Sequence, residues 1–264
     1  MPELPEVQTI VNGLNQKILG KEIKKIIELR PGTVFWQNPV TSLGNINYIS
    51  RRGKYILIQT SKDFKLVIHL RMTGKLIFET DLTKTSDHVR AELVFNDNTK
   101  LIFDDVRTFG EIQILKINEE IEAFQKLGVE PLSDEFDSQY LKNKLKNRKA
   151  PIKSILLDQR IISGLGNIYV AEILFRSKID PRIPGNRLKK KQLESIVSEI
   201  KTVLQEAIKH NGTTISDYRS VEDKTGEFQN FLKVYRKEYC ECGHQIKKIK
   251  QAGRSTYYCP VCQK

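Results

Sequence analysis

The hydrophobic period changes part-way along this chain. Val7, Ile10, Val11, Leu14 and Ile18 recur at helical spacing, and Gly20 supplies a stop. Pro5 and Glu6 suit the start of that helix: a proline there lacks an N–H the helix does not use, and a carboxylate faces the positive helix end. From about residue 22 to 115 the pattern turns to short runs, at 55–59, 66–70 and 75–78, with a hairpin over 91–103 reversed through Asn96-Asp97-Asn98. Short strands at such close spacing predict an antiparallel β-sandwich. Residues 127–136, with Gly128, Pro131 and Ser133, read as a linker. Beyond them the spacing predicts helices over 140–147, 152–159, 168–176 and 189–209. The last carries Leu193, Ile196, Val197, Ile200, Val203, Leu204 and Ile208 on one face, and Asn211-Gly212 ends it. The polar stretch 212–229 reads as a loop of a length usually reserved for function.

This alternation of a strand-rich half and a helical half predicts an α+β chain of two domains. The expected segments are a sandwich domain flanked by helices over 2–126, a linker over 127–136, a helical domain over 137–233 and a small terminal module over 234–264. No apolar run approaches the ~18 residues of a membrane span, and no basic stretch precedes an apolar one at the start. A cytoplasmic or nucleoid location, away from any membrane, is expected.

Charge separates the halves more sharply. The chain holds 44 basic and 32 acidic side chains, a net +12. Residues 1–140 carry 18 basic and 20 acidic groups, whereas 141–264 carry 26 and 12, a balance of +14. A general lysine bias would not leave the first half slightly acidic, so the second half is expected to meet a polyanion.

All four cysteines fall in the last 25 residues, as Cys240-Glu241-Cys242, sixteen residues, then Cys259-Pro260-Val261-Cys262. Two close pairs of thiols predict one tetrahedral zinc ion rather than a spread of disulfides. A module this small has too little core to fold alone, so the metal would supply its stability. The one-residue spacer of the first pair leaves open whether Cys240 or another residue, such as His244, is the first ligand. Gly164-Leu165-Gly166-Asn167 lies between two predicted helices, where tight turns need glycine and a helix start offers N–H groups to a phosphate; Asn167 would cap that helix.

Six motifs in order carry a resemblance. They are Pro2-Glu3-Leu4-Pro5-Glu6-Val7, Arg51-Arg52-Gly53-Lys54-Tyr55, His69-Leu70-Arg71-Met72-Thr73-Gly74, Asp105-Val106-Arg107-Thr108-Phe109-Gly110, residues 158–169, and Arg254-Ser255-Thr256 before the second cysteine pair. Nearly end to end, the chain resembles the formamidopyrimidine-DNA glycosylases, bacterial enzymes that remove oxidised purines. The resemblance implies a β-sandwich joined to a helix–two-turn–helix domain and a zinc finger, acting as a monomer on duplex DNA with oxidised bases or abasic sites. It implies a Schiff base at the amine of Pro2, exposed once Met1 is removed, with Glu3 as proton donor and Lys54 at the phosphate near the lesion. Met72, Arg107 and Phe109 match residues that fill the gap left by an everted nucleotide. His88, Asn167 and Arg254 match phosphate ligands, and Lys153 a lysine associated with the oxidised base. Glu6, Thr213, Thr214, Ser216 and Tyr218 match the lesion pocket, and Cys240, Cys242, Cys259 and Cys262 the zinc ligands. A sister family excising oxidised pyrimidines generally begins Pro-Glu-Gly-Pro-Glu and lacks the methionine–arginine–phenylalanine wedge, so Leu4 and the intact triad favour the purine enzyme. A non-catalytic DNA-binding protein on the same modules would not need the Pro2-Glu3 pair.

Overall fold

The computed structural model describes residues 1–264 apart from 39–40 and 216–217. It divides into two compact units, residues 1–122 with 210–229 and residues 123–209 with 230–264.

The first unit opens with α1 (Leu4–Ile18), whose Val7, Ile10, Val11, Leu14 and Ile18 are buried as the spacing predicts, with Leu4 buried beside them. Glu3 is its N-cap, and the Glu3 N–H donates to Glu6 Oε2 at 2.8 Å, one arm of a capping box. Among the described residues nine strands follow: β1 (Glu22–Glu28), β2 (Val34–Trp36), β3 (Gly44–Arg52), β4 (Tyr55–Thr60), β5 (Phe64–His69), β6 (Lys75–Glu79), β7 (Val89–Phe95), β8 (Lys100–Asp104) and β9 (Glu111–Lys116). Their order is β2-β9-β5-β4-β3-β1-β7-β8-β6, antiparallel except for the β2–β9 pair. The β3–β1 join is thin, Glu22 opposite Asn45 and Ile23 opposite Gly44, so the sheet falls into two groups. Ile56, Ile58, Leu66 and Ile112 from one group share a single core with Leu76, Leu93, Phe95 and Phe103 from the other, together with the apolar face of α1. That common core is the sandwich.

The polar stretch after residue 209 returns to this unit instead of staying with the helices that precede it. Phe78 N–H donates to Val221 O at 3.0 Å, Thr213 N–H donates to Glu6 Oε1 at 2.8 Å, and Tyr218 and Val221 enter the sandwich core. Buried backbone groups must find partners: the Thr213 N–H finds Glu6 on α1, and the Val221 carbonyl accepts from β6. The contact boundaries thus differ from the segments read off the sequence, which assigned 137–233 to the helical domain.

After a short turn, α2 (Glu122–Gln125), the second unit holds α3 (Ser138–Leu145), α4 (Ile152–Leu156), α5 (Asn167–Arg176) and α6 (Lys190–Lys209). Helix α3 is capped by Asp137, which accepts the Tyr140 N–H. Helix α4 stops three residues before the predicted end because Asp158 Oδ1 accepts both the N–H and the Nε–H of Arg160, drawing the chain into a turn. The stretch 127–136 is ordered within this unit: Gly128 N–H donates to Gln159 O at 2.8 Å, and a Cβ at Gly128 would lie 2.3 Å from the Ile161 carbonyl. The terminal module is a hairpin, β10 (Lys247–Gln251) and β11 (Arg254–Tyr258), packed through Cys240 and Cys259 on Ala171 and Phe175 of α5.

One buried carboxylate ties that module to its support. Glu172 is fully buried in α5 and accepts N–H groups from Lys233 (2.8 Å), Val234 (3.0 Å) and Tyr235 (2.8 Å). Glu172→Gln turns one acceptor into a donor facing these N–H groups, and a loss of about 2–3 kcal/mol in denaturant unfolding is expected. An unchanged midpoint would mean the three donors are satisfied elsewhere.

Candidate functional site

In the first unit Pro2 and Glu3 are buried just ahead of α1, and Lys54 is buried in the β3–β4 turn, where Gly53 takes a φ of 56°. Arg51 braces that turn, donating to Gly53 O at 2.9 Å and to Gln8 Oε1 of α1 at 3.0 Å. Glu6, 2% exposed, accepts the Glu3 N–H with one oxygen and the Thr213 N–H with the other. A single carboxylate thereby ties the N-terminal segment to the loop 213–218. Thr214 Oγ1 donates to Tyr218 O at 3.2 Å and accepts the Gly226 N–H at 2.8 Å. Tyr218 is buried, and burial together with the Glu6 carboxylate pushes its phenol well above the usual value. Ser216 lies outside the described residues.

Met72, Arg107 and Phe109 are brought together. The Arg107 guanidinium lies 2.9 Å from Met72 Sδ and 5.0 Å from the Phe109 ring centroid, while Met72 and Phe109 are 42% and 55% exposed. Two large apolar side chains are held out in water around an arginine, the reverse of core packing. Asp105, which sequence reasoning passed over, builds this loop: it is 1% exposed and accepts from Thr73 Oγ1, from Arg107 N–H at 3.2 Å and from Gly110 N–H at 2.8 Å. Its own N–H donates to His88 O at 2.9 Å, which links exposed His88 to the same loop.

His69 lies at the end of β5, with Nδ1 accepting the Arg71 N–H at 3.0 Å and its ring 4.4 Å from Tyr55. Burial, with Arg71 and Lys54 adding to it, lowers its pKa to about 3. The unfolded imidazole takes its proton near pH 6.5 and the folded one does not, so stability falls as pH drops from about 6.5 toward 3, by roughly 1.4 kcal/mol per unit from this group. Thermal unfolding of His69→Asn should lack that part of the acid slope, and equal slopes in both proteins would refute it.

In the second unit Gln159, also unforeseen, spans the glycine turn, accepting the Gly164 N–H at 2.9 Å and donating to Leu165 O at 2.8 Å. Gly164 takes a φ of 86°. Asn167 does not cap α5; Gly166 is the N-cap and Asn167 the first helical residue, with Nδ2 donating to Ser255 O at 3.0 Å. Asn167 thus stands at the positive end of α5, which favours an anion. Lys153, 1% exposed, donates to the same Ser255 carbonyl at 2.8 Å and to Thr256 Oγ1 at 2.7 Å. Its ammonium therefore holds the hairpin that carries exposed Arg254.

The metal-ligating cluster is Cys240, His244, Cys259 and Cys262, with ligand atoms all within 4.8 Å of one another. Cys240 Sγ lies 3.8 Å from Cys259 Sγ, 3.9 Å from Cys262 Sγ and 3.8 Å from His244 Nδ1, and Cys262 Sγ lies 3.6 Å from His244 Nδ1. Zinc–sulfur bonds of about 2.3 Å in a tetrahedron imply ligand separations near 3.8 Å, so the donors fit zinc. The expected ligand Cys242 is corrected to His244. Cys240 N–H donates to His244 O and Gly243 N–H to Cys240 O, both at 2.9 Å, and Tyr239 pairs with Gln245. This closes a tight loop with residues 240 and 244 opposed at its base and Cys242 exposed at its tip.

Comparison with known proteins agrees with this geometry. The families described as Formamidopyrimidine-DNA glycosylase N-terminal domain, Formamidopyrimidine-DNA glycosylase H2TH domain, and Zinc finger found in FPG and IleRS match residues 1–112, 127–219 and 241–264. The chain belongs to the formamidopyrimidine-DNA glycosylase family. Enzymes of that name from a Wolbachia of Drosophila simulans and from Rickettsia africae are 42% and 39% identical, over all of this chain and 100% and 99% of theirs. A variant of the Lactococcus lactis FPG, solved with DNA containing Fapy-dG, has a TM-score of 0.92 at 39% identity, covering both chains in full. The Lactococcus lactis protein with abasic-site DNA has 0.89 at 38%, over 99% of each chain. As a family member the chain is a DNA-repair glycosylase of the class that carries lyase activity, and its finger holds one structural zinc ion. Among the described residues no helix is long and apolar enough to cross a membrane.

Proposed function

We propose that this glycosylase excises oxidised purines, 8-oxoguanine and formamidopyrimidines, from duplex DNA through a Schiff base on Pro2 and then cuts the strand by β,δ-elimination. The observation that carries the reading is Glu6, which bonds the backbone beside Pro2 with one oxygen and the head of the loop 213–218 with the other. Nucleophile and candidate lesion loop thus share one buried anchor.

The chemistry follows from the residues. An α-amine titrates near 7.7–8.0, so a useful fraction is neutral at physiological pH, and the adjoining positive end of α1 favours the neutral form further. Pro2 N attacks C1′, the N–C1′ bond forms, and the glycosidic bond breaks as the base leaves with a proton. Glu3 protonates O4′ as the sugar ring opens, and an iminium remains. Loss of a C2′ proton expels the 3′ phosphate, and a second elimination expels the 5′ phosphate. Lys54 is the phosphate ligand beside the reacting sugar. Met72 and Phe109 wedge into the stack, and Arg107 bonds the widowed base. His88, Asn167 and Arg254 hold backbone phosphates, Lys153 keeps the Arg254 hairpin in place, and Thr213, Thr214 and Tyr218 line the pocket for the everted base.

Borohydride should trap the chain covalently on duplex DNA containing 8-oxoguanine opposite cytosine. No adduct from protein lacking Met1 would sink the mechanism, and trapping confined to oxidised pyrimidines would favour the sister activity.

A further inference from the structure

The helical unit carries a second concentration of positive charge, to which none of Lys153, Asn167 and Arg254 belongs. Lys142, Lys144, Lys146, Arg148 and Lys149 run through and beyond the end of α3, and Arg187, Lys189, Lys190 and Lys191 lead into α6. All nine are exposed. Two backbone bonds of 3.0 Å, Gly185 N–H to Ala150 O and Asn186 N–H to Arg148 O, hold the segments side by side. Between them lies a groove of about 420 Å³ with Leu145, Leu188 and Leu193 in its lining and Lys142 and Lys146 beside them. Ion pairs among the described residues neutralise little of this: Lys190 lies 3.8 Å from Glu194 and Arg148 lies 3.8 Å from Asp158.

Three of these nine residues stand at the start of α6, which adds the field of a helix end to the charge. This helix of twenty residues has no acidic residue in its first turn, and three consecutive lysines stand at its positive end. Each like charge there costs about 0.3–1 kcal/mol, and Lys189 offers no side-chain acceptor for the first N–H groups. A helix start under local demands alone favours Ser, Asp or Glu. Gln192 Oε1 accepts the Lys189 N–H at 2.9 Å and Glu194 lies 3.8 Å from Lys190, but neither places an anion in the first turn, where an external one would meet three lysines at the positive helix end.

We propose that this cradle is a second contact surface for the phosphate backbone of duplex DNA, engaged by undamaged sequence without base readout. DNA is favoured over an acidic protein because the groove lining contains no aromatic anchor of the kind protein interfaces use. The inference rests on DNA as the partner of this family member, not on the excision chemistry.

The test uses the full zinc-loaded chain and an undamaged duplex of about 30 base pairs, titrated from about 50 to about 200 mM salt. For the variant K189Q/K190Q/K191Q, the slope of log affinity against log salt should become shallower by about 2–3, with affinity at low salt down roughly tenfold or more. Removing like charges from a helix N-terminus should leave the melting temperature equal or higher, so folding is not at risk. A control with the same charge loss on the sandwich unit, K24Q/K62Q/K116Q, should keep the wild-type slope. A wild-type slope in the cradle variant overturns the proposal, as does an equal loss in the control or a wild-type chain that does not bind undamaged duplex. Failure of the excision reading would appear separately, as a missing borohydride adduct with this slope difference intact.

Discussion

A chain with any extension ahead of Pro2, a retained Met1 included, is expected to give no borohydride adduct while still binding DNA. With Met1 attached, the Pro2 nitrogen is a tertiary amide whose lone pair is delocalised into the carbonyl, so it cannot add to C1′. The proposed phosphate ligands elsewhere are untouched, so affinity for duplex with a non-cleavable abasic analogue should stay within about twofold, because phosphate contacts supply a large share of binding free energy to DNA. Glu3→Gln completes the pair. It keeps the amine but removes the proton donor, and excision of 8-oxoguanine should fall by about 10²–10⁴-fold. The amine can still condense with a pre-formed abasic aldehyde, so trapping on abasic DNA should persist. An extended chain that still traps would remove Pro2 from the mechanism. Equal losses of Glu3→Gln on oxidised and abasic substrates would place Glu3 in binding rather than in base release.

The second large effect concerns the metal. His244→Ala should lower bound zinc well below one equivalent and unfold the 240–262 module, whereas Cys242→Ser should keep one equivalent and the wild-type melt. Zinc binding to such small modules is worth about 10–16 kcal/mol, far more than their cores, so removing a ligand or adding a chelator removes the fold. Arg254 rides on this hairpin, and DNA affinity should fall with the metal. Metal analysis and melting of the two variants decide the matter: if Cys242→Ser loses zinc and His244→Ala keeps it, all four ligands are cysteines after all.

These outcomes separate what the linear chain determines from what folding decides. The helical period of α1, the short strands, the long amphipathic α6 and the basic second half all follow from local pattern, because side-chain period and charge are properties of consecutive residues. The motifs also marked Pro2, Met72, Arg107, Phe109, Asn167 and Arg254 without coordinates. Spacing misled at Cys242, because a loop closed between residues 240 and 244 sends alternate residues to its base and its tip. Nothing local reveals that Glu6 reaches Thr213, that Asp105 gathers Thr73, Arg107 and Gly110, or that Lys153 and Asn167 meet on the Ser255 carbonyl. Each of these is a buried or half-buried polar group finding its partner across tens of residues or more, or across a tight turn, and only the packed chain determines which partners are within hydrogen-bonding reach.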